Sequence, residues 1–337
     1  MACFHPLKGY IVGVNPITGK NKLLIRPYIE ENPPKLEFVE IPCGKCIGCR
    51  LEYSRQWANR MMLELEYHDS AYFVTLTYSD DFVPKRPVYD PETGEYKYDS
   101  LSLRKSDLSK FLKHVRKHFP DDKIRFFGVG EYGGKTCRPH YHLILYGLHL
   151  DDLTVYKRNR QGDVLYNSRS LENCWSNFVG VRSDGSDYYD KVGHVVIAPV
   201  NWETCAYVAR YVTKKMSGPL EDWFISQNME NPFSLMSRRD GIGKQWYLDH
   251  PELFDYEYIN LKTKEKGLKF RPPKYFEKLY EIDFPDEAMQ RKEIRTEFLK
   301  TKREALLAEL DNPYLDYLAD KENNLKSRLK ALDRTVV

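Results

Sequence analysis

The sequence predicts an α+β fold: an antiparallel sheet flanked by helices, with a cysteine-rich element ahead of it and a helical extension behind it. Three observations carry this reading. Residues 124–131 and 139–146 are strand-forming runs on either side of a glycine-rich loop, the pattern of an antiparallel hairpin. Apolar residues recur at helical spacing over 106–119 and 201–216. Cys43-Gly-Lys-Cys46-Ile-Gly-Cys49 overlaps two C-x-x-C turns, whose glycines let the backbone fold tightly around a zinc ion.

With 337 residues there is room for two domains, or for one large domain with additions, and for a core that needs no disulfides. The composition divides at 1–68 (cysteine cluster and helix), 69–218 (the core, with an inserted loop at 148–190) and 219–337 (basic loops and C-terminal helices). The 52 basic and 49 acidic residues are interspersed and the net charge is +3, so any nucleic-acid contact must be local. Aromatic residues make up 14% of the chain, which suits base stacking and an aromatic core equally. No apolar run reaches the roughly 18 residues of a membrane span, and the start, Met1 to Pro6, lacks the regions of a signal peptide. Seven cysteines, an odd number with three clustered, point to metal ligands in a reducing compartment.

Along the chain, zinc needs a fourth ligand beside Cys43, Cys46 and Cys49; Cys3 is the first candidate and His5 the second. A helix over 50–67 carries Leu51, Trp57, Met61 and Leu65 inward and Arg50, Arg55 and Arg60 on a solvated face. Residues 71–78 form a β-branched, aromatic strand. A polar excursion at 80–101 has a hairpin tip at 91–94. The next helix is capped by Ser106, buries Leu108, Phe111, Leu112, Val115 and Phe119, and stops at Pro120. Its other face, Lys110, Lys113, Arg116 and Lys117, is basic and lies beside the site; a solvated face is its simplest explanation. The G-x-G-x-x-G at 128–133 runs into another strand instead of a helix, which excludes a dinucleotide fold, and Gly134-Lys-Thr lacks the first glycine of a P-loop. Within 148–190, Trp175 and Phe178 are isolated anchors, with a short helix near 170–178. A strand covers 193–200, with His194 as an ordinary strand histidine. Asn201 caps a helix running to Met216. Ser237 to Lys244 is a basic, glycine-containing loop suited to phosphate, and charged helices over 286–310 and 314–333 flank Asn312-Pro313.

The chemistry gathers on the hairpin. Side chains alternate along a strand, so His140, His142 and Ile144 share one face while Tyr141, Leu143 and Leu145 face a core. A loop centred between Lys135 and Thr136 pairs Glu131 directly with His140. Two imidazoles and one carboxylate hold a divalent cation and leave it open positions, as catalytic sites do. On the 201–216 helix, Tyr207, Tyr211 and Lys214 fall within about 60° of one another, roughly opposite Cys205, Val208, Ala209, Val212 and Met216. A cation that polarises a phosphoryl oxygen, a tyrosine that attacks phosphorus and a lysine that favours the phenolate define phosphoryl transfer through a phosphotyrosine.

Taken together, Thr75-Leu-Thr77, His140-Tyr-His142 and Tyr207-x-x-x-Tyr211-x-x-Lys214 resemble the three motifs of the HUH rolling-circle replication initiators. With the cysteine cluster and Ser237-Arg-Arg-x-Gly-Ile-Gly they are most similar to the initiators of gokushovirus-type microviruses, over about residues 1–275. The resemblance implies a palm-like antiparallel sheet flanked by helices and a single-stranded DNA endonuclease and ligase that acts at an origin. One tyrosine becomes 5′-phosphotyrosyl and frees a 3′-OH; a second allows strand transfer. It implies Tyr207 and Tyr211 as nucleophiles, Lys214 as their helper, Glu131, His140 and His142 as ligands of Mg²⁺ or Mn²⁺, and Cys3, Cys43, Cys46 and Cys49 around structural Zn²⁺. Host helicase and DNA polymerase are the implied partners, in the cytoplasm of an infected bacterium. The competing readings are a HUH transposase or plasmid initiator, and a non-enzymatic zinc-containing module that binds single-stranded DNA.

Overall fold

The computed structural model describes residues 3–16, 21–27, 37–134, 136–159, 162–212, 219–262 and 267–330; at 211–212, 219–220, 262 and 330 it describes the backbone alone. In chain order the elements are β1 (Leu7–Val14), β2 (Asn21–Pro27), β3 (Phe38–Ile41), α1 (Ile47–Leu65), β4 (Ala71–Thr77), β5 (Lys85–Tyr89), β6 (Tyr96–Leu101), α2 (Lys105–His118), β7 (Arg125–Tyr132) and β8 (Pro139–Tyr146). There follow β9 (Leu153–Arg158), β10 (Val164–Ser168), α3 (Arg169–Cys174), β11 (Ser176–Val181), β12 (Asp187–Lys191), β13 (Val195–Pro199), α4 (Trp202–Val212), α5 (Pro219–Ser226), β14 (Phe233–Met236) and α6 (Lys244–Asp249). Then come β15 (Ile259–Lys262), β16 (Gly267–Phe270), α7 (Lys274–Asp283), α8 (Pro285–Glu309) and α9 (Tyr314–Lys330). Among the described residues no helix is long and apolar enough to cross a membrane. Contacts group the chain into two units, 1–53 with 274–334, and 54–273, a grouping that differs from the linear division of the sequence.

In the first unit, β1 pairs on both sides with β2 and β3 in an antiparallel sheet. None of these strands is marked by the sequence pattern, because β2 is exposed on both faces and β3 is half-buried throughout. Lys8 is nonetheless fully buried, its ammonium 4.6 Å from the centre of the Phe38 ring. Arg303 of α8 pairs with Glu40 of β3 at 2.7 Å.

The second unit is built on a seven-stranded sheet in the order β14-β7-β8-β4-β13-β10-β9, antiparallel at every step. One face carries the main core, where Leu108, Phe111, Leu112 and Val115 of α2 meet Val74, Leu76, Tyr141, Leu143 and Leu145. On the other face α4 packs on β7, β8 and β14, and Trp57 of α1 stacks at 5.0 Å on Phe127. The glycines of the rejected fingerprint serve this packing: a Cβ on Gly130 would come within 2.9 Å of the Phe233 ring, and one on Gly128 within 3.3 Å of Leu143.

Several expectations need correction. The segment 148–190 is no loop: β9 and β10 extend the main sheet, α3 follows, and β11 and β12 form a hairpin. Its polarity misleads because β9 and most of the hairpin are exposed on both faces, which erases the period-two signal. Trp175 is a core residue in contact with Tyr78, Phe111 and Tyr141, while Phe178 is exposed. Ser106 is not the cap of α2; Arg104 occupies the N-cap position, and Ser106 lies inside the first turn. Arg60 is buried instead of solvated: it donates from Nε and Nη2 to the Ile242 carbonyl at 3.0 and 2.9 Å. The basic face of α2 lies across the sheet from the histidines, not beside them. Asn201 does cap α4, accepting the Thr204 N–H at 2.8 Å. Lys214 and Met216 lie outside the described residues.

The 237–244 loop is held by a buried carboxylate. Glu64 accepts the Gly243 N–H at 2.6 Å, a bond from His68 at 3.2 Å, and one from Arg125. Burial pulls its pKa upward, but the bonds from His68, Gly243 and Arg125 outweigh it and hold the carboxyl below the ordinary range. The unfolded chain therefore takes up this proton first, and the stability Glu64 contributes is present above about pH 5 and lost as the pH falls through its folded value. Urea midpoints measured at pH 7 and pH 4 should drop further in the native protein than in Glu64→Gln. A Cβ on Gly193 would overlap the Thr77 carbonyl oxygen. Gly193→Ala should therefore cost roughly 1–3 kcal/mol in urea unfolding, the scale of an overpacked core position.

Candidate metal centre and tyrosine helix

The hairpin register is the one the loop length predicts: Glu131 faces His140, and β8 pairs on its other edge with β4 so that Thr75 faces His142. Pairing of three strands brings Glu131, His140, His142, Thr75 and Phe73 onto one face. Glu131 and His142 are buried and His140 is half-buried. The Nε2 atoms of both histidines lie 3.0 Å from Glu131 Oε1. Burial pulls the Glu131 pKa upward, but the hydrogen bonds and charge of His140 and His142 outweigh it and lower the carboxyl to about 2.

The outer nitrogens are held as well. His140 Nδ1 donates to the Arg138 carbonyl at 3.1 Å, and His142 Nδ1 lies 2.9 Å from Thr75 Oγ1. Such partners orient a metal-binding imidazole and leave Nε2 for the ion. The donor atoms lie within 4.8 Å of one another. Cation–ligand bonds of about 2.1 Å place neighbouring octahedral ligand atoms about 3 Å apart, so the observed spacing fits a divalent cation.

Helix α4 delivers a phenol to this cluster. Asn201 starts the helix, Cys205, Val208 and Ala209 are buried beneath it, and Tyr207 is half-buried on the side facing the histidines. The Tyr207 hydroxyl lies 3.4 Å from Glu131 Oε1 and 3.5 Å from His142 Nε2. Phe73 is wedged between the two groups, stacked on His142 (10° between planes, 5.5 Å) and edge-on to Tyr207 (88°, 6.0 Å). Arg210, one turn on, has its guanidinium 5.2 Å from the centre of the Tyr207 ring. The structure thus brings together four of the six residues expected here: Glu131, His140, His142 and Tyr207. Tyr211 falls on the last turn of α4 with its side chain outside the description, and Lys214 lies beyond the described residues. Phe73, the contact of Thr75 and the position of Arg210 were not anticipated. The signal for the first two is the alternation of β4, which becomes usable only once its pairing with β8 is known.

In the first unit the sulfurs of Cys3, Cys43, Cys46 and Cys49 also lie within 4.8 Å of one another. Gly44, at φ 72°, allows the turn between the first two ligands of the repeat. Backbone N–H groups point at the sulfurs, from Cys43 to Cys3 at 3.3 Å, Cys46 to Cys43 at 3.3 Å and Phe4 to Cys46 at 3.4 Å. Burial pulls the Cys46 thiol upward, yet donation from the Cys49 and Phe4 N–H groups prevails and lowers it to about 7. His5 turns to Glu322 at 3.0 Å, so the fourth thiolate position is filled by Cys3. Four thiols at this spacing match a closed tetrahedral zinc site.

A buried metal-type cluster on an antiparallel sheet, with a phenol from a neighbouring helix among its donors, defines the class of site. Comparison with known proteins gives the family. Residues 71–216, which hold every element of this cluster, match the family of replication-associated proteins typified by ORF2. The chain is 27% identical to the replication-associated protein ORF2 of Spiroplasma virus 4, over 99% of this chain and 98% of that one. It is 25% identical to the replication-associated protein VP4 of Bdellovibrio phage phiMH2K, over 86% and 80% of the two chains. Identity to the replication-associated protein ORF4 of Chlamydia phage 1 is 27%, over 82% and 63%. The resemblance to microvirus replication proteins read from the motifs therefore extends along almost the whole chain. No solved structure matches.

Thr75→Val keeps the shape of the strand but removes the oxygen beside His142. Isothermal titration with Mn²⁺ should show affinity weakened about 10- to 100-fold, as loss of an orienting partner does. Cys46→Ser should lower the zinc content measured by atomic emission, with the melting temperature falling alongside it.

Proposed function

We propose that this chain initiates rolling-circle replication of a phage genome as a metal-dependent enzyme that nicks single-stranded DNA at the origin and later rejoins it. The observation that carries the reading is the Tyr207 hydroxyl, 3.4 Å from Glu131 and 3.5 Å from His142. A nucleophile at that place has one evident use, since hydrolysis by bound water needs no phenol there.

Glu131, His140 and His142 would hold Mg²⁺ or Mn²⁺, which polarises a phosphoryl oxygen when bound. The chain's own residues do the rest. Thr75 and the Arg138 carbonyl keep the imidazoles turned inward. Phe73 fixes the angle between the phenol and His142. The Tyr207 oxygen attacks phosphorus, an O–P bond forms to tyrosine, and the P–O3′ bond breaks. The phenolic proton is lost, and the departing oxygen takes one up to become a free 3′-OH. That 3′-OH is a primer for host DNA polymerase, with a host helicase opening the duplex, all within the infected cell. The phosphotyrosyl bond conserves the energy of the phosphodiester for rejoining. Tyr211, one helical turn on, is the second nucleophile of this scheme, and Lys214 its assisting cation, both by their place in the motif. Zn²⁺ on Cys3, Cys43, Cys46 and Cys49 is structural.

Similarity to phage replication-associated proteins over almost the whole chain favours this reading over a transposase or plasmid initiator. A module that only binds DNA would have no need to bury a phenol against a carboxylate and two imidazoles.

The test is an SDS-resistant protein–DNA adduct formed on single-stranded DNA from the cognate phage origin with Mn²⁺. Native protein should form it. Tyr207→Phe should reduce the initial adduct at least 100-fold, and Tyr207→Phe with Tyr211→Phe should abolish it. Adduct formation by the double variant would show the nucleophile lies elsewhere, and none from the native protein would end the nuclease reading.

A further inference from the structure

The sheet has a second face, and the basic side of α2 lies over it, unused by the metal cluster. Between α2 and the start of β11 there is a cavity of about 550 Å³, a size common for ligand pockets. Its walls include the Phe82, Trp175 and Phe178 rings, with Arg104, Lys110 and Asn177 at its polar side. Trp175 is almost fully buried, whereas Phe178 is 57% exposed, which is costly for an aromatic ring that has nothing to cover it. Phe178 meets Tyr189 of the paired strand edge-on at 5.7 Å, so the aromatic wall continues along the hairpin. The acidic member of the lining, Asp107, is engaged by the Tyr78 hydroxyl at 2.8 Å.

A line of positive charge begins at this cavity. Lys110, Lys113 and Lys117 fall within about 60° of one another around α2, and all three are exposed. No ion pair joins them to a carboxylate among the described residues. Aromatic surfaces beside an unneutralised basic track are the two components of single-strand recognition: rings stack on bases of any sequence, and lysines follow the phosphates.

We infer that this face is a second, non-catalytic binding site for single-stranded DNA. One base enters the cavity against Phe178 and Trp175, the neighbouring phosphates lie on Lys110, Lys113 and Lys117, and Asn177 and Asp107 meet the polar edge of the base. The site goes beyond the nicking reaction and does not depend on it. It gives the protein a hold on the displaced strand from the side of the sheet that the cleaved phosphate does not occupy.

Fluorescence anisotropy of the full chain with a short labelled oligothymidylate, without added divalent cation, tests this. Phe178→Ala should weaken binding roughly tenfold, the effect of losing one stacked base. Lys110→Gln with Lys113→Gln should lower the slope of log K against log salt by about 1.4, two phosphate contacts for a single strand. Tyr207→Phe should bind as the native protein does. All of these positions except Tyr207 are exposed, and circular dichroism will show whether the variants remain folded. Native affinity and native salt slope in the folded variants would overturn the proposal. So would displacement of the strand by free thymidine monophosphate at equal nucleotide concentration, which would make the cavity a mononucleotide site. Adduct assays on the same variants separate the two readings: lost binding with intact cleavage supports this site, and lost cleavage in the native protein concerns only the metal cluster.

Discussion

Everything in the candidate site depends on the pairing register of three strands. With Glu131 opposite His140 and His142 opposite Thr75, a carboxylate, two imidazoles and an orienting hydroxyl share one face of the sheet. A slip of one residue in β8 would send both histidines into the core occupied by Leu143 and Leu145 and bring those leucines to the site. The register is defended from both sides. Tyr141, Leu143 and Leu145 are buried in the core beneath α2, and the Tyr141 hydroxyl lies 2.7 Å from that of Tyr78. Burial on both faces makes the alternative registers expensive.

The charge arrangement then follows from desolvation. A carboxylate as buried as Glu131 would not remain ionised in an apolar surround; two imidazoles at 3.0 Å keep it so. The cluster is therefore already set as an anionic donor group, with each histidine held from behind. Tyr207 joins it because α4 packs its apolar side on β7, β8 and β14, which leaves the opposite side of the helix turned to the cluster edge. Phe73 adds a fixed contact to both partners, so the phenol and the imidazole move as one packed unit.

The outer parts of the chain were harder to read, for reasons visible in particular residues. Cys43, Cys46 and Cys49 announce a metal site by spacing alone, but only the fold shows that Cys3 completes it and that His5 is taken by Glu322. The strands β9, β11 and β12 gave no alternation because exposed edges and hairpins have no buried face to mark. Arg60 looked like one of three solvated arginines; its burial follows from the carbonyl of Ile242, more than 180 residues away in sequence. Trp175 looked isolated because its neighbours Tyr78, Phe111 and Tyr141 come from three separate elements.

The sequence by itself determined what is local: the hairpin and its register, the histidine face, the helix that carries Tyr207, the cysteine turns and the limits of the C-terminal helices. These are short-range consequences of period two, period 3.6 and loop length. Only the tertiary structure decided which strand lies beside β8, and hence that Thr75 and Phe73 support the site, that the phenol of Tyr207 arrives within 3.5 Å of His142, and that the basic side of α2 faces away from it. Those facts rest on contacts between segments far apart in the chain, where loop closure and core packing choose the partner and no local pattern records the choice.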